Sequence, residues 1–440
     1  MKKQENHTWL AIRAKVPMSL MITLVLGSLF IFSMTSCEQD SQLNIPDNAV
    51  KPMAPTLLTV WAYPTDSTVL EWVDNSVNED SFYVEESVNS LYNFHKVATL
   101  APNTKKLVLP YRPQPNQYNL YRVKAANQVG ESIWSNSATT RYLLAYTAQS
   151  TRGIHVVDCN DPATPIFFDS LSILNGDVQS LFIEGKTLYV TVKIGAQVFL
   201  KFYDITNPKD PILAGQISDL NYGYDILSTA NRFYIAEGAG VAIYPKATIG
   251  IVSRVGFVTS EGQSMGVAVK GNYMYIAAGN RGIQVYNISD EANPVLVSRF
   301  LSTTFTSDIL IEGDIAFVTD AGEGVVAVDI SDPANLTFVS RYNTPGTATR
   351  LTYYNHNLYV SDSQGGVWIL TMQDNDLTAV LNYDTPGKAL SIFVNGTDFY
   401  VADDNTGMMI LRNSVGLLER LSTYTTRGSS IKAVDVLDYR

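Results

Sequence analysis

The chain has 440 residues, of which 46% are hydrophobic and 17% charged, a length that suffices for two or three domains with substantial cores. This composition excludes a disordered or collagen-like protein. The formal net charge of −11 argues against a nucleic-acid partner, because phosphate binding depends on an excess of Lys and Arg.

Residues 1–36 have the layout of a signal peptide. Four basic residues and one acidic residue occur among the first fifteen positions, and the charge-free stretch 16–34 follows them. The run Met34-Thr35-Ser36-Cys37 resembles a bacterial lipoprotein lipobox, with Met34 where that motif usually has Leu. The resemblance implies that Cys37 is the lipidated first residue of the mature chain. A non-cleaved transmembrane helix is the alternative, since a stretch of this length could cross a bilayer of roughly 30 Å.

Residues 37–53 are predicted to form a flexible tether, because they are rich in Ser, Gln, Asn, Asp and Pro. The acidic run that starts it, Glu38-Gln39-Asp40-Ser41, resembles the surface-export signals of lipoproteins from Bacteroides-like bacteria. That likeness implies an outer-membrane protein whose lipid anchor leaves it facing the cell exterior. Removing residues 1–36 removes four positive charges and one negative charge, which leaves a net charge of −14. Cys159 is then the one cysteine besides the anchor, so no intramolecular disulfide is expected.

Residues 54–141 show the short alternating runs of a β-sandwich, such as 68–72 and 82–86, separated by turn-prone Asn and Asp. Trp72 and the run 121–132 resemble the core tryptophan and the late strand of a fibronectin type III domain. In that family a corner tyrosine bonds back to the chain, and either Tyr118 or Tyr121 corresponds to it. The module is either a ligand-binding domain or a rigid spacer.

Residues 142–440 repeat with a nearly constant period. The aromatic residue of the second strand in each unit recurs at spacings of 43, 45, 41, 42, 42 and 41 residues. These aromatics are Tyr146, Tyr189, Tyr234, Tyr275, Phe317, Tyr359 and Tyr400. Each unit contains four strand-like runs joined by Gly, Asn and Asp turns, which predicts one antiparallel sheet per unit.

Such sheets cover their apolar faces by stacking radially, as the blades of a β-propeller do. The first unit has no preceding inner strand, whereas the run 430–436 near the C-terminus is an inner strand with nothing after it. Joining the two predicts a seven-bladed propeller closed by the C-terminal strand. The expected fold class is therefore all-β, a fibronectin type III-like sandwich followed by this propeller.

Phrases at 153–162, 203–208 and 328–333 resemble the LVIVD repeat family of bacterial surface propellers. The resemblance extends over residues 142–440, although the units that contain Gly240, Gly366 and Gly407 lack the Asp-x-Ser-Asp-Pro phrase. It implies a fold and an exported location and no defined activity. The phrases themselves have a structural use, because Asp and Ser cap turns and Pro restricts the backbone.

The sequence predicts no catalytic residue, metal or cofactor. It lacks a Gly-x-Ser-x-Gly elbow, a phosphate loop and a His-Glu-x-x-His motif. His95, His155 and His356 are too scattered to form a ligand set, and Cys159 is expected to be an unpaired packing residue. The acidic pair Asp403-Asp404 is expected to be a solvated turn, because no calcium-loop spacing surrounds it.

Propellers usually bind partners at one mouth of the central channel, where loops from every blade converge. The loops that lead into each inner strand, and those between the second and third strands, supply the candidate ligand-binding residues. These are Gln179, Tyr222, Tyr224, Asp225, Phe305, Asp308, Arg350 and Arg281, with Arg152, Glu237, Glu323 and Asp404 further out. Aromatic rings beside carboxylates, amides and a guanidinium suit a sugar or a peptide.

The sequence therefore predicts a non-catalytic surface lipoprotein that binds or adheres to a glycan or a protein through the propeller face. One alternative is a carbohydrate-active lyase or glycosidase, in which two carboxylates, or an Arg with a Tyr, would converge at the channel mouth. The other is a structural component of an envelope complex, which would have a flat apolar patch on the propeller rim.

Overall fold

The computed structural model describes residues 50–63, 67–88, 90, 92–111, 119–139, 143–246, 249–301, 304–414, 416–425 and 430–438. The chain divides into two compact units, residues 1–46 and 47–440, and all described residues belong to the second. Throughout these ranges the chain is all-β, with no helix. Accordingly, the described part of the chain holds no helix long and apolar enough to cross a membrane. The predicted signal peptide, Cys37, most of the tether and Tyr118 lie outside the described residues.

The first module consists of two antiparallel sheets, one in the order β1-β2-β5 and one in the order β4-β3-β6-β7 with β8 on β6. The strands are β1 (Thr56–Tyr63), β2 (Ser67–Val73), β3 (Ser81–Val88), β4 (His95–Leu100), β5 (Lys106–Leu109), β6 (Asn119–Asn127), β7 (Gly130–Glu131) and β8 (Ala138–Thr139). Alternating residues of β2, β3 and β6 are buried between the sheets, including Trp72, which lies against Phe82 with ring centroids 5.8 Å apart. Tyr121 is fully buried, but its hydroxyl donates to the Glu86 side chain and not to the backbone.

Residues 143–438 form seven further sheets, numbered I to VII here. Sheet I consists of β9 (Leu143–Ala148), β10 (Ile154–Asp158), β11 (Ile166–Leu171) and β37 (Val434–Asp438). Sheet II consists of β12 (Gly176–Glu184), β13 (Thr187–Ile194), β14 (Gln197–Asp204), β15 (Ile212–Leu220) and β19 (Gly250–Ile251). Sheet III consists of β16 (Asp225–Ser228), β17 (Arg232–Ala236), β18 (Gly238–Pro245) and β20 (Gly256–Ser264).

The remaining four sheets each use four consecutive strands. Sheet IV consists of β21 (Gly266–Lys270), β22 (Tyr273–Ala277), β23 (Ile283–Asn287) and β24 (Val295–Phe300). Sheet V consists of β25 (Thr306–Glu312), β26 (Ile315–Asp320), β27 (Gly324–Asp329) and β28 (Thr337–Tyr342). Sheet VI consists of β29 (Arg350–Tyr354), β30 (Asn357–Ser361), β31 (Val367–Gln373) and β32 (Asp376–Tyr383). Sheet VII consists of β33 (Ser391–Asn395), β34 (Asp398–Asp403), β35 (Gly407–Ser414) and β36 (Leu417–Tyr424).

The repeated aromatic residue of each unit is buried, from Tyr146 in β9 to Tyr400 in β34. It lies in a middle strand of its sheet, where both faces are covered by neighbouring sheets. The period of the sequence is therefore the period of the hydrophobic core, and the antiparallel sheets are those of a propeller-like repeat.

Sheet II has a fifth strand that the sequence did not predict. Strand β19 comes from the chain of sheet III and pairs in parallel with β15, Gly215 facing Gly250. A Cβ atom on Gly215 would lie 2.3 Å from the carbonyl oxygen of Gly250, so a side chain there would prevent this approach.

Hydrogen bonds link each sheet to the next, and sheet VII to sheet I. In the order of the sheets that they join, the bonded atoms are Ile183 N and Asp435 Oδ2 (2.7 Å), Ser228 Oγ and Glu184 Oε2 (2.8 Å), Val267 N and Asp225 Oδ2 (3.0 Å), Thr306 N and Gly279 O (3.1 Å), Leu351 N and Asp308 Oδ2 (2.7 Å), Thr352 Oγ1 and Ile392 O (3.0 Å), and Val434 N and Ser391 Oγ (3.2 Å). In sheet I, β37 pairs antiparallel with β9 over Val434–Asp438.

Candidate functional site

Two tyrosines precede the first strand of sheet III. The rings of Tyr222 and Tyr224 are stacked, with centroids 5.3 Å apart and planes inclined by 13°. Tyr222 is 54% exposed, whereas Tyr224 is half-buried beneath it. The phenol of Tyr224 accepts a hydrogen bond of 3.1 Å from Nε2 of Gln263, which lies near the end of β20 in the same sheet. The ring of Tyr222 therefore presents an exposed apolar face and is stacked on the Tyr224 ring, which Gln263 holds in place.

Phe305, before the first strand of sheet V, lies near the Gln263 backbone, at Gly279. A Cβ atom on Gly279 would come within 2.9 Å of the Phe305 ring and 3.4 Å of the Gln263 carbonyl oxygen. Gly279 has a φ of +59°, a left-handed conformation that glycine adopts without steric cost, and the ring fits above its bare backbone.

Arg281 extends this surface. A Cβ atom on Gly262 would lie 2.8 Å from Cγ of Arg281, so the aliphatic part of that side chain covers β20 immediately before Gln263. Its side chain is exposed. We call the set Tyr222, Tyr224, Gln263, Arg281 and Phe305 the mouth surface.

Arg350, from sheet VI, binds the chain at Tyr224 and Asp225 and so stabilises the mouth surface. It begins the first strand of sheet VI, yet its Nη1 donates to Asp225 Oδ1 at 2.8 Å and its Nη2 to the Tyr224 carbonyl at 2.6 Å, both in or beside sheet III. The Arg350 side chain is 34% exposed. Burial disfavours its cation, but the Asp225 and Asp308 carboxylates outweigh this and raise the pKa of Arg350. One guanidinium thus holds the backbone that carries the tyrosine stack.

Asp225 and Asp308 are acceptors for the protein's own groups. Each uses one oxygen for a backbone N–H of the following sheet, and the second oxygens accept from Arg350 and from Ile309 N. Burial raises the pKa of Asp308 to about 6, with the nearby Asp225 charge adding to the effect. The sequence placed both among the ligand-binding residues; in the structure their oxygens are occupied by these internal bonds.

Gln179 belongs to a second cluster, on sheets I and II. Its Oε1 accepts from Lys432 Nζ at 3.3 Å and its Nε2 donates to Asp177 Oδ2 at 2.6 Å, while Lys432 also pairs with Asp177 at 3.0 Å. Asp177 also accepts from Ser150 Oγ at 2.7 Å. Lys432 and Asp177 were not among the predicted site residues.

Three of the outer candidate residues, Glu237, Glu323 and Asp404, bind other side chains of the protein. Glu237 is buried and accepts from Asn221 Nδ2 at 3.1 Å, and its burial raises its pKa. Glu323 pairs with Arg341, and Asp404 accepts from Ser430.

His155 and Cys159 belong to sheet I and the loop that follows β10, and neither contacts a residue of the mouth surface in the described contacts. His155 contacts the Tyr424 hydroxyl through Nδ1 at 3.2 Å, and burial, with Arg152 nearby, lowers its pKa. Cys159 is a free, fully buried thiol whose pKa is raised by burial. No group of three or more His, Cys, Asp or Glu side chains within the described ranges is arranged to hold a metal ion.

Gln263 is the residue of the mouth surface that the sequence reasoning missed. Tyr222 and Gln263 each lie three residues before the first residue of an inner strand, Asp225 of β16 and Gly266 of β21. Phe305 likewise lies three residues before Asp308, whose inter-sheet bond matches that of Asp225. Aligning the repeats on these strands, and not on the second-strand aromatics alone, would have found it.

Comparison with known proteins identifies the repeat. Residues 261–302, 305–344 and 386–411 match the LVIVD repeat, a propeller-type repeat family. The first two matched stretches contain Gln263, Arg281 and Phe305. The phrases at 153–162 and 203–208 lie outside the matched stretches, whereas the unit of Gly407, which lacks the Asp-x-Ser-Asp-Pro phrase, is matched in part.

No curated protein matches the chain. Among solved structures, the chain is similar to a structural genomics protein of unknown function from Bacteroides thetaiotaomicron, with 12% identity and a TM-score of 0.42. It is also similar to a computationally designed protein, with 8% identity and a TM-score of 0.43. Each alignment covers 80% of this chain and 96% of the other.

Proposed function

We propose that this protein is a non-catalytic, lipid-anchored surface protein that binds a glycan through the mouth surface. One observation carries the proposal: an exposed tyrosine ring, Tyr222, is stacked on a second ring that the rest of the protein holds in place. Pyranose rings present C–H faces that pack on aromatic faces, while their hydroxyls need polar partners at the edge. Gln263 supplies an amide beside the stack, and the side chain of Arg281, which lies against the adjacent Gly262, carries a guanidinium.

Pre-organisation strengthens the case for binding. Tyr224 is held at its hydroxyl by Gln263 and at its carbonyl by Arg350. The Tyr224 side chain and backbone are therefore already ordered in the folded protein. A ligand that stacks on Tyr222 loses less free energy to ordering this part of the site.

A panel of glycans and proteins, probed with residues 38–440, tests the proposal. We expect glycan binding that is at least about tenfold weaker in Tyr222→Ala. Tyr92→Ala is the matched control, because Tyr92 is an exposed tyrosine of the first module and its loss should leave binding unchanged. Unchanged binding in Tyr222→Ala would rule out the mouth surface as the site, capture of proteins alone would contradict a glycan ligand, and release of a cleaved product would contradict a non-catalytic role.

We propose further that sheets I to VII are the blades of a closed seven-bladed propeller and that the first module is a fibronectin type III-like domain. The inter-sheet bonds, including that between Val434 and Ser391, support the closed ring. The buried Trp72 between a three-stranded and a five-stranded antiparallel sheet supports the second assignment. Cryo-electron microscopy of residues 38–440 would test both, and an open stack or a different number of blades would contradict the ring.

The proposed address, the outer membrane facing the exterior, rests on the sequence around Cys37. Metabolic labelling with a fatty-acid analogue should mark the full chain and not Cys37→Ser. Surface proteolysis of intact cells should then degrade the wild-type protein. Labelling that persists in the variant would contradict anchoring at Cys37.

One observation favours a second candidate function, contact with a protein partner in an envelope complex. Ile212, Leu213, Ile249 and Ile251 are all exposed where β19 joins sheet II. Neighbouring exposed apolar side chains of this kind occur at protein interfaces. A double substitution, Ile249→Asp with Ile251→Asp, should abolish co-purification of any such partner, and retention would contradict this role.

A further inference from the structure

We infer that the glycan is an acidic one and that Arg281 binds its carboxylate, as in a uronic acid. The inference deepens the proposed glycan-binding function and depends on it.

Arg281 has no acidic partner among the described residues, whereas four cations of neighbouring strands and loops are paired. Arg350 pairs with Asp225, Lys432 with Asp177, Arg299 with Glu261 and Arg341 with Glu323. No ion pair or side-chain hydrogen bond of Arg281 occurs among the described residues, and its side chain is exposed. Its guanidinium is therefore available to a ligand.

The repeat shows how this unpaired charge arises. Arg281 and Glu323 occupy the same turn, with backbone N–H bonds to Ala278 O and Asp320 O, and each precedes a glycine. In sheet V the residue at this position, Glu323, neutralises Arg341 of the fourth strand. In sheet IV the equivalent arginine, Arg299, is neutralised by Glu261 instead, and the turn position itself carries a second cation. Two arginines of sheet IV, Arg281 and Arg299, therefore face one glutamate of β20, Glu261, which leaves one unmatched positive charge at the edge of sheet IV near Gln263.

A guanidinium is well suited to a carboxylate, because its planar donors match the two oxygens and its charge strengthens both bonds. The protein is acidic overall, but at physiological ionic strength charges more than about 8 Å away are largely screened. The local excess on sheet IV, and not the net charge of the chain, then determines the preference of the mouth surface. A uronic acid offers both a ring face for Tyr222 and a carboxylate for Arg281.

The test compares oligomers of galacturonate, glucuronate and mannuronate with their carboxyl-reduced counterparts, by calorimetric titration of residues 38–440. We expect at least one uronate to bind about tenfold or more tightly than its reduced form, with the difference shrinking at high salt. Arg281→Gln should remove that preference. Arg152→Gln is the matched control, because Arg152 occupies the same turn of sheet I without the tyrosine stack, and it should keep the preference.

The outcomes separate this inference from the proposed function. Equal affinity for each charged and reduced pair, a preference that survives in Arg281→Gln, or a preference lost equally in Arg152→Gln would overturn the inference. Binding of neutral glycans alone that still requires Tyr222 would overturn it too and leave the proposed function standing. Absence of binding to any glycan would overturn both.

Discussion

Glu86 is the most heavily used acceptor of the first module. The residue is 4% exposed, and its carboxylate accepts from Tyr111 Oη at 3.0 Å, Asn119 Nδ2 at 2.6 Å and Tyr121 Oη at 2.6 Å. Burial, together with the Glu86 charge, raises the pKa of both tyrosines. Glu86 therefore links β3 to β6 through side-chain hydrogen bonds. The resemblance had implied a corner tyrosine that bonds to the backbone.

Glu86→Ala should lower the free energy of unfolding of the first module by at least about 2 kcal/mol, because each buried donor left without a partner costs about 1–3 kcal/mol. Urea unfolding followed by tryptophan fluorescence measures this. Glu131→Ala, which removes an exposed partner of Lys124, should cost less than about 1 kcal/mol. Equal losses in the two variants would show that the Glu86 network contributes little.

Among the elements, the hairpins of sheets V, VI and VII share one device. An aspartate at or just after the end of the second strand binds the loop that leads into the first strand of the same sheet. In sheet VI, Asp362 accepts from Thr344 Oγ1 at 2.5 Å and from Gly346 N at 2.7 Å. Asp403 accepts from Gly387 N at 2.9 Å, and Asp320 accepts from Thr304. The device holds the loops that lead into the first strands against the second strands of the same sheets.

Asp362→Ala should therefore release the loop 343–349 without unfolding sheet VI. Hydrogen–deuterium exchange should show faster exchange across that loop and unchanged protection in β30 and β31. Asp332→Ala is the control, because Asp332 caps an exposed turn through Ala334 N and its loss should affect only that turn. Unaltered exchange over 343–349 would contradict the clamp.

At the scale of the whole molecule, β37 connects three sheets. It pairs with β9 of sheet I, takes Ser391 of sheet VII as an acceptor, and places Asp435 against Ile183 of sheet II. Burial raises the pKa of Asp435 from 3.8 to about 7, although backbone N–H groups of Ile183 and Val436 oppose the shift.

This raised pKa predicts that stability falls as the pH rises. The folded protein holds the Asp435 proton more tightly than the unfolded chain does, so the contribution is complete below about pH 4 and is lost as the pH approaches 7. Thermal unfolding from pH 4.5 to 8 should show the Tm of the wild type falling relative to that of Asp435→Asn. Asp329→Asn, at an exposed turn where hydrogen bonds to Ser331 lower the pKa, should run parallel to the wild type over this range. Parallel curves for all three proteins would contradict the assignment.

The sequence predicted the repeated sheets because a buried aromatic recurs once per unit, and burial of that residue is what positions each sheet. The Asp-Pro phrases were also interpretable locally, since Asp329 and Asp204 accept from N–H groups two residues on. The internal use of Asp225 was not, because its partner Arg350 lies 125 residues away and only the assembled sheets bring them together. The pairing of β19 was not predictable either. It depends on the close approach of Gly215 and Gly250, and the repeat pattern of the sequence contains no signal for that contact.

The pairing of β37 with β9 has a consequence for biosynthesis. Strand β9 is made before the six sheets II to VII and β37 after them, so one edge of sheet I stays open while those six sheets are translated. A chain that ended before Val434 would therefore leave that edge of β9 unpaired and open to pairing with strands of other molecules.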